Sequence, residues 1–105
     1  MFDISTINKR YFNISISVTN DEGKELDISL DVEPPKIKTL KKIIVLSKDK
    51  DDENAMSEAI TLILNKNKTG FKVPNEIIEN LDTDQYKAIL KEYTSWLKEV
   101  KNNPN

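Results

Sequence analysis

The chain has 105 residues, enough for one domain with a modest core. It contains neither cysteine nor histidine, which removes disulfides, thiolate metal sites, the commonest general base and the commonest transition-metal ligand. With 32% charged residues and a net charge of −2, it has no strong general attraction to nucleic acid or to anionic membranes.

The first ten residues, "MFDISTINKR", lack a basic segment followed by an apolar run, so no signal peptide is expected. Phe2, Ile4 and Ile7 are candidates for a short strand. The clearest signal follows. Phe12, Ile14, Ile16 and Val18 alternate with polar residues, and so do Leu26, Ile28, Leu30 and Val32. Period two predicts two strands, each with one apolar face. "NDEG" between them suits a type I turn with Gly23 in the left-handed region, pairing Asn20 with Lys24. That register sets Ile16 opposite Ile28, apolar against apolar. Pro34 and Pro35 end the hairpin, because proline cannot donate to a ladder.

The remainder reads as helical. Ile37, Leu40 and Ile44 keep helical spacing and predict a helix from about Thr39 to Ser47, although the Ile43–Leu46 run also suits a strand. Asp51, Asp52 and Glu53 suit the positive end of a helix over "ENAMSEAITLILNK". Gly70 is a candidate stop for it, and Pro74 starts a short helix over "PNEIIENL". Asp82 and Gln85 form a capping-box pattern that opens a last helix, running to about Lys101. The expected fold is α+β: an N-terminal antiparallel β-hairpin, with a third strand as an option, followed by three to four α-helices. The expected organisation is a single domain over 1–105, with a hairpin part (1–35), a helical part (36–102) and a polar tail (103–105). No stretch approaches the ~18 consecutive apolar residues of a membrane span.

Chemistry-bearing patterns are few. Asp49, Asp51, Asp52 and Glu53 lack the glycine and glutamate spacing of a calcium loop and read as a solvated run. Lys36, Lys38, Lys41 and Lys42 have no interleaved aromatic residues for base stacking. Glu33, Glu58 and Asp82 could pair as acid and base, but no spacing singles them out. With two glycines there is no phosphate-cradling loop. The expectation is a protein that is not an enzyme, takes no cofactor and no metal, and binds neither nucleic acid nor membrane.

Apolar girth is the more informative feature. On the last helix, Tyr86, Ile89, Leu90, Tyr93, Trp96, Leu97 and Val100 fall within an arc of roughly 120° at ~100° per residue. One internal surface satisfies such a stripe, so Trp96 is expected inside its own domain. On the middle helix, Ala55, Met56, Ala59, Ile60, Leu62, Ile63 and Leu64 spread over roughly 200°. That helix is either sandwiched or has one flank on another molecule. Ile43, Leu46, Ile60 and Leu64 are the candidate partner-binding residues, for a protein partner or for self-association.

The order of parts resembles the small tail assembly chaperones of long-tailed bacteriophages and prophages of AT-rich Gram-positive hosts. A hairpin is followed by "TLKKIIVLSKDKDDENAMSEAITLILNKNKTGF" and then by "EIIENLDTDQYKAILKEYTSWLKEVKNNPN". The likeness is strongest in the last segment, where Leu81, Asp82 and Gln85 open a helix, Tyr93, Trp96 and Leu97 follow, and "NPN" ends the chain. The resemblance implies a binding role in the host cytoplasm. Such chaperones coat the long, helical, apolar tape measure protein and leave it as tail tube subunits polymerise. Many are made in two lengths by ribosomal frameshift, and the polar ending resembles that of a short form. The alternatives are a structural, completion or adaptor protein of the virion, or a small cytoplasmic regulatory or immunity-type binding protein.

Overall fold

A computed structural model describes residues 1–7 and 9–99. The fold is α+β: a two-stranded antiparallel hairpin followed by four helices. The strands are β1 (Phe12–Thr19) and β2 (Glu25–Val32); the helices are α1 (Ile37–Leu46), α2 (Glu53–Asn65), α3 (Asn75–Glu79) and α4 (Thr83–Lys98). Val100, the expected helix end near Lys101 and the polar tail over 103–105 lie outside the described residues.

The hairpin register is the one that the alternation requires. Ile14 faces Leu30, Ile16 faces Ile28 and Val18 faces Leu26. The turn fixes it locally: Asn20 donates its N–H to the Lys24 carbonyl (2.9 Å), and Gly23 donates to the Asn20 carbonyl (3.0 Å). Gly23 sits at φ +84°, where a side chain would be strained. The Asn20 side-chain oxygen also accepts from Glu22 and Lys24, so the turn is closed from both sides. On the outer face Ser15 and Ser29 hydrogen-bond across the strands.

The segment before β1 is no strand among the described residues. Ile4–Thr6 form a 3₁₀ turn instead. The Asp3 carboxylate accepts from both the backbone N–H (3.0 Å) and the hydroxyl (2.7 Å) of Ser5. Capping of this kind competes with strand pairing, and it leaves Phe2, Ile4 and Ile7 exposed.

The two longest helices start at a side-chain cap, whereas α1 and α3 follow Lys36 and Pro74 without one. Asp52 caps α2 by accepting from Ala55 (3.1 Å). Asp82 and Gln85 form a reciprocal capping box on α4, with both bonds at 2.8 Å. The end of α2 comes earlier than Gly70. The chain leaves the helix at Lys66 because its backbone turns to bond β2: Glu33 donates to the Lys66 carbonyl (2.8 Å) and Lys68 donates to the Asp31 carbonyl (2.9 Å). Gly70, at φ +73°, closes the following turn onto the Asn67 carbonyl. Asn67 is the organising side chain of this connection. It is buried, donates to the Leu64 and Phe71 carbonyls, and accepts from Phe71 N–H and the Thr69 hydroxyl.

The core gathers Ile16, Val18, Leu30 and Val32 from the hairpin with residues of all four helices. α2 lies at its centre, against α1, α3, α4 and β2. This explains the wide apolar arc of α2: every flank meets a neighbour of the same chain. Trp96 packs at the edge of the core and is partly buried. Its ring lies 5.7 Å from Phe12 and 5.8 Å from Tyr93, centroid to centroid. Arg10, the sole arginine, stacks over it at 4.2 Å and donates to the Trp96 and Leu97 carbonyls (2.8 and 3.2 Å). One side chain thereby covers the tryptophan and caps the C-terminal end of α4.

Candidate interaction surface

The carboxylates are occupied with structure. Glu33 pairs with Lys66 (3.0 Å) and Glu58 with Lys42 (3.3 Å), while Asp82 caps α4. Asp49 accepts from the Asp51 N–H, and Asp52 caps α2. These groups are spread over separate elements, and no set of three or more acidic side chains among the described residues could hold a metal ion. No helix there is long and apolar enough to cross a membrane.

Of the large exposed apolar side chains among the described residues, those in α-helices and strands lie on α1; the others are in the N-terminal segment (Met1, Phe2, Ile4 and Ile7) and at Phe71. Successive residues of a helix are ~100° apart, so the four-residue run Ile43–Leu46 must encircle the axis. α2 covers only one side of it. Ile43 is buried and Leu46 is partly buried, whereas Ile44 is 52% exposed, Val45 64% and Ile37 74%. The Ile43–Leu46 run is apolar all round, yet α1 packs as a surface helix, with Lys38, Lys41 and Lys42 among its exposed residues.

α1 and α4 both rest on α2 and leave a groove of about 740 Å³ between them. Its apolar walls are Leu40, Ile43 and Ile44 from α1 with Leu90, Tyr93 and Leu97 from α4. Five lysines also line it: Lys48 and Lys50 after α1, and Lys87, Lys91 and Lys98 along α4. No carboxylate does. The charge of this side departs from that of the whole chain. The groove lining carries five lysines and no carboxylate, in a protein of net charge −2. Burial at the groove floor pushes the Tyr93 phenol up to about 12, because phenolate would lose its hydration there.

The four candidate residues divide. Ile43 lines the groove, and Leu46 is partly buried and does not line it. Ile60 and Leu64 are each fully buried, at 0% exposure, and form no surface. Their assignment to a partner surface is therefore corrected. The 200° arc on α2 is the mark of a helix sandwiched inside one chain, the other of the two readings open at the sequence level. Leu90 and Tyr93 are buried and Leu97 is partly buried, as the stripe on α4 requires; what the stripe alone does not show is that their outer edge borders a lysine-lined groove. The signal that could have shown this was present: Lys87 and Lys91 stand one turn apart, alongside Leu90 and Thr94. The chain matches no family model, no curated protein and no solved structure.

Proposed function

We propose that this protein is a non-enzymatic tail assembly chaperone, acting in the cytoplasm of an infected or lysogenic bacterium on the tape measure protein. The observation that carries the reading is the solvent-open apolar groove between α1 and α4, together with the uncovered Ile37, Ile44 and Val45. Exposed apolar patches of this kind mark protein contact sites. A groove walled by two helices suits a third helix, recognised through residues at i, i+3, i+4 and i+7. The likeness of the Leu81–Leu97 segment to the chaperones supplies the identity of the partner.

The size of the groove fits a reversible role. Interfaces that bury less than about 1,200 Å² tend to be transient, and one shallow groove is of that kind. Many weak contacts along one long helix hold it collectively. Each contact also yields singly as tail tube subunits polymerise. The charged exterior keeps the coated complex soluble.

The test is co-expression with the tape measure protein of the same phage. The partner should move into the soluble fraction and co-purify with this chain. A tape measure protein that stays equally insoluble with and without the chain refutes the reading.

A further inference from the structure

The groove has a chemical preference beyond apolarity. We infer that the α1–α4 groove accepts an amphipathic helix whose apolar stripe is flanked by aspartate or glutamate. This deepens the proposed function and rests on it only for the name of the partner.

The dimensions suit a helix. A helix ~10 Å across with a 5.4 Å pitch displaces about 420 Å³ per turn. A groove of about 740 Å³ therefore takes the inward half of about three turns. The apolar walls meet the stripe of that helix, and the lysines meet its flanks on both sides. Lys87 and Lys91 stand on the α4 wall, with Lys48 and Lys50 at the end of the α1 wall. These four make no ion pair with any described residue.

Helix-dipole compensation explains part of this charge, but not all of it. Lys48 and Lys50 follow the C-terminal end of α1, where a cation is favoured for the sake of the helix itself. Lys87 and Lys91 lie in the first half and middle of α4, beyond the last turn where that effect operates. Their placement beside a groove edged by the exposed Ile44 and the partly buried Leu40 and Leu97 calls for an anionic counterpart. Solubility alone would be served by either sign, yet no carboxylate lines the groove although acidic residues outnumber basic ones in the chain.

The concave shape selects among anionic partners. A flat lipid surface touches ridges, whereas here the apolar side chains line the walls of a furrow. A nucleic acid strand would need exposed rings for its bases, and the one ring in the groove, Tyr93, is 2% exposed. An acidic amphipathic helix satisfies both shape and charge. Charge complementarity of this type sets selectivity and association rate, and it is weakened by salt.

The experiment uses two fluorescent synthetic peptides of about three heptads with the same leucine stripe. One carries glutamate flanks and the other lysine flanks. Binding is followed by anisotropy at low and high salt, with vesicles of phosphatidylglycerol as a third ligand. The full chain should prefer the glutamate peptide by roughly ten-fold or more at low salt, since like-charge juxtaposition is strongly penalised. The K87E/K91E double variant, checked for native circular dichroism, should lose most of the preference, because the lining falls from five lysines to three lysines and two glutamates. Ile44→Asp should weaken both peptides without unfolding the chain.

Equal binding of the two peptides, binding of neither, an unchanged preference in K87E/K91E, or binding to vesicles alone would each overturn the inference. The two proposals fail separately. If K87E/K91E solubilises the tape measure protein as well as the natural chain does, the groove is not the site and the chaperone reading stands. If the natural chain selects the glutamate peptide but leaves the tape measure protein insoluble, the groove inference stands and the chaperone reading falls.

Discussion

Replacing Trp96 by alanine tests whether this side chain holds the fold together or serves as an anchor for a partner. A tryptophan covered for most of its surface removes about 150 Å² from water. At roughly 25 cal/mol per Å², this is worth about 4 kcal/mol. Residual compactness of the unfolded chain trims the figure to about 3 kcal/mol. The ring pairs with Phe12 and Tyr93 add about 0.5–1.5 kcal/mol each. Both are lost in the variant, which keeps only the separate edge contact between Phe12 and Tyr93. The expected loss for Trp96→Ala is therefore about 4–5 kcal/mol, at the upper end of the range for large aromatic truncations. Urea denaturation followed by far-ultraviolet circular dichroism measures it without relying on the deleted fluorophore. A double-mutant cycle with Arg10→Ala isolates the stacking contact, because the Trp96 and Leu97 carbonyls that Arg10 bonds remain in Trp96→Ala. That coupling should be about 0.5–1 kcal/mol. A loss below about 1 kcal/mol for Trp96→Ala, with loss of the partner, would show that the tryptophan is a surface anchor and would refute the packing argument.

Ile60→Asp should unfold the protein or cost more than about 4 kcal/mol, because a carboxylate would replace a fully buried side chain; a native-like circular dichroism melt would contradict the central position of α2. Asn67→Ala should cost about 2–3 kcal/mol by stranding the Leu64 and Phe71 backbone groups, which chemical denaturation reads directly. Gly23→Ala should cost about 1–2 kcal/mol through the positive φ alone, since no atom lies within 4 Å of the added methyl; an unchanged midpoint would mean that the turn relaxes freely. For Tyr93, burial favours the neutral phenol and lifts its pKa from 10.0 to about 12. Its contribution to stability is therefore complete below pH about 10 and is lost as pH rises towards about 12. Denaturation midpoints should fall across that window, and Tyr93→Phe should remove this part of the fall. An identical pH profile for Tyr93→Phe would count against a buried neutral phenol.

The local features of this protein were decided by residues close together in the chain. Strand alternation, Gly23 and the Asn20 side chain fix the hairpin register within twenty residues, and Asp52, Asp82 and Gln85 mark the helix starts. At the N-terminus the same local logic was misread, since capping by Asp3 prevails over the apolar alternation of Phe2 and Ile4. What the tertiary structure decided was coverage. The sequence displays an apolar arc but not the neighbour that will meet it. The wide arc of α2 and the Ile43–Leu46 run of α1 both present more apolar surface than an ordinary surface helix needs. The apolar arc of α2 is met by its own chain, with the polar Glu53, Asn54 and Glu58 left to solvent, whereas α1 is covered on one side only. The difference lies in long-range placement. The chain folds back at Lys66 to bond β2, the short α3 then turns it, and α4 returns across α2 without closing on α1. Hydrophobic burial is proportional to area and indifferent to sequence distance. The pattern therefore fixes how much surface seeks cover, while only the packed fold determines which part is left for a partner.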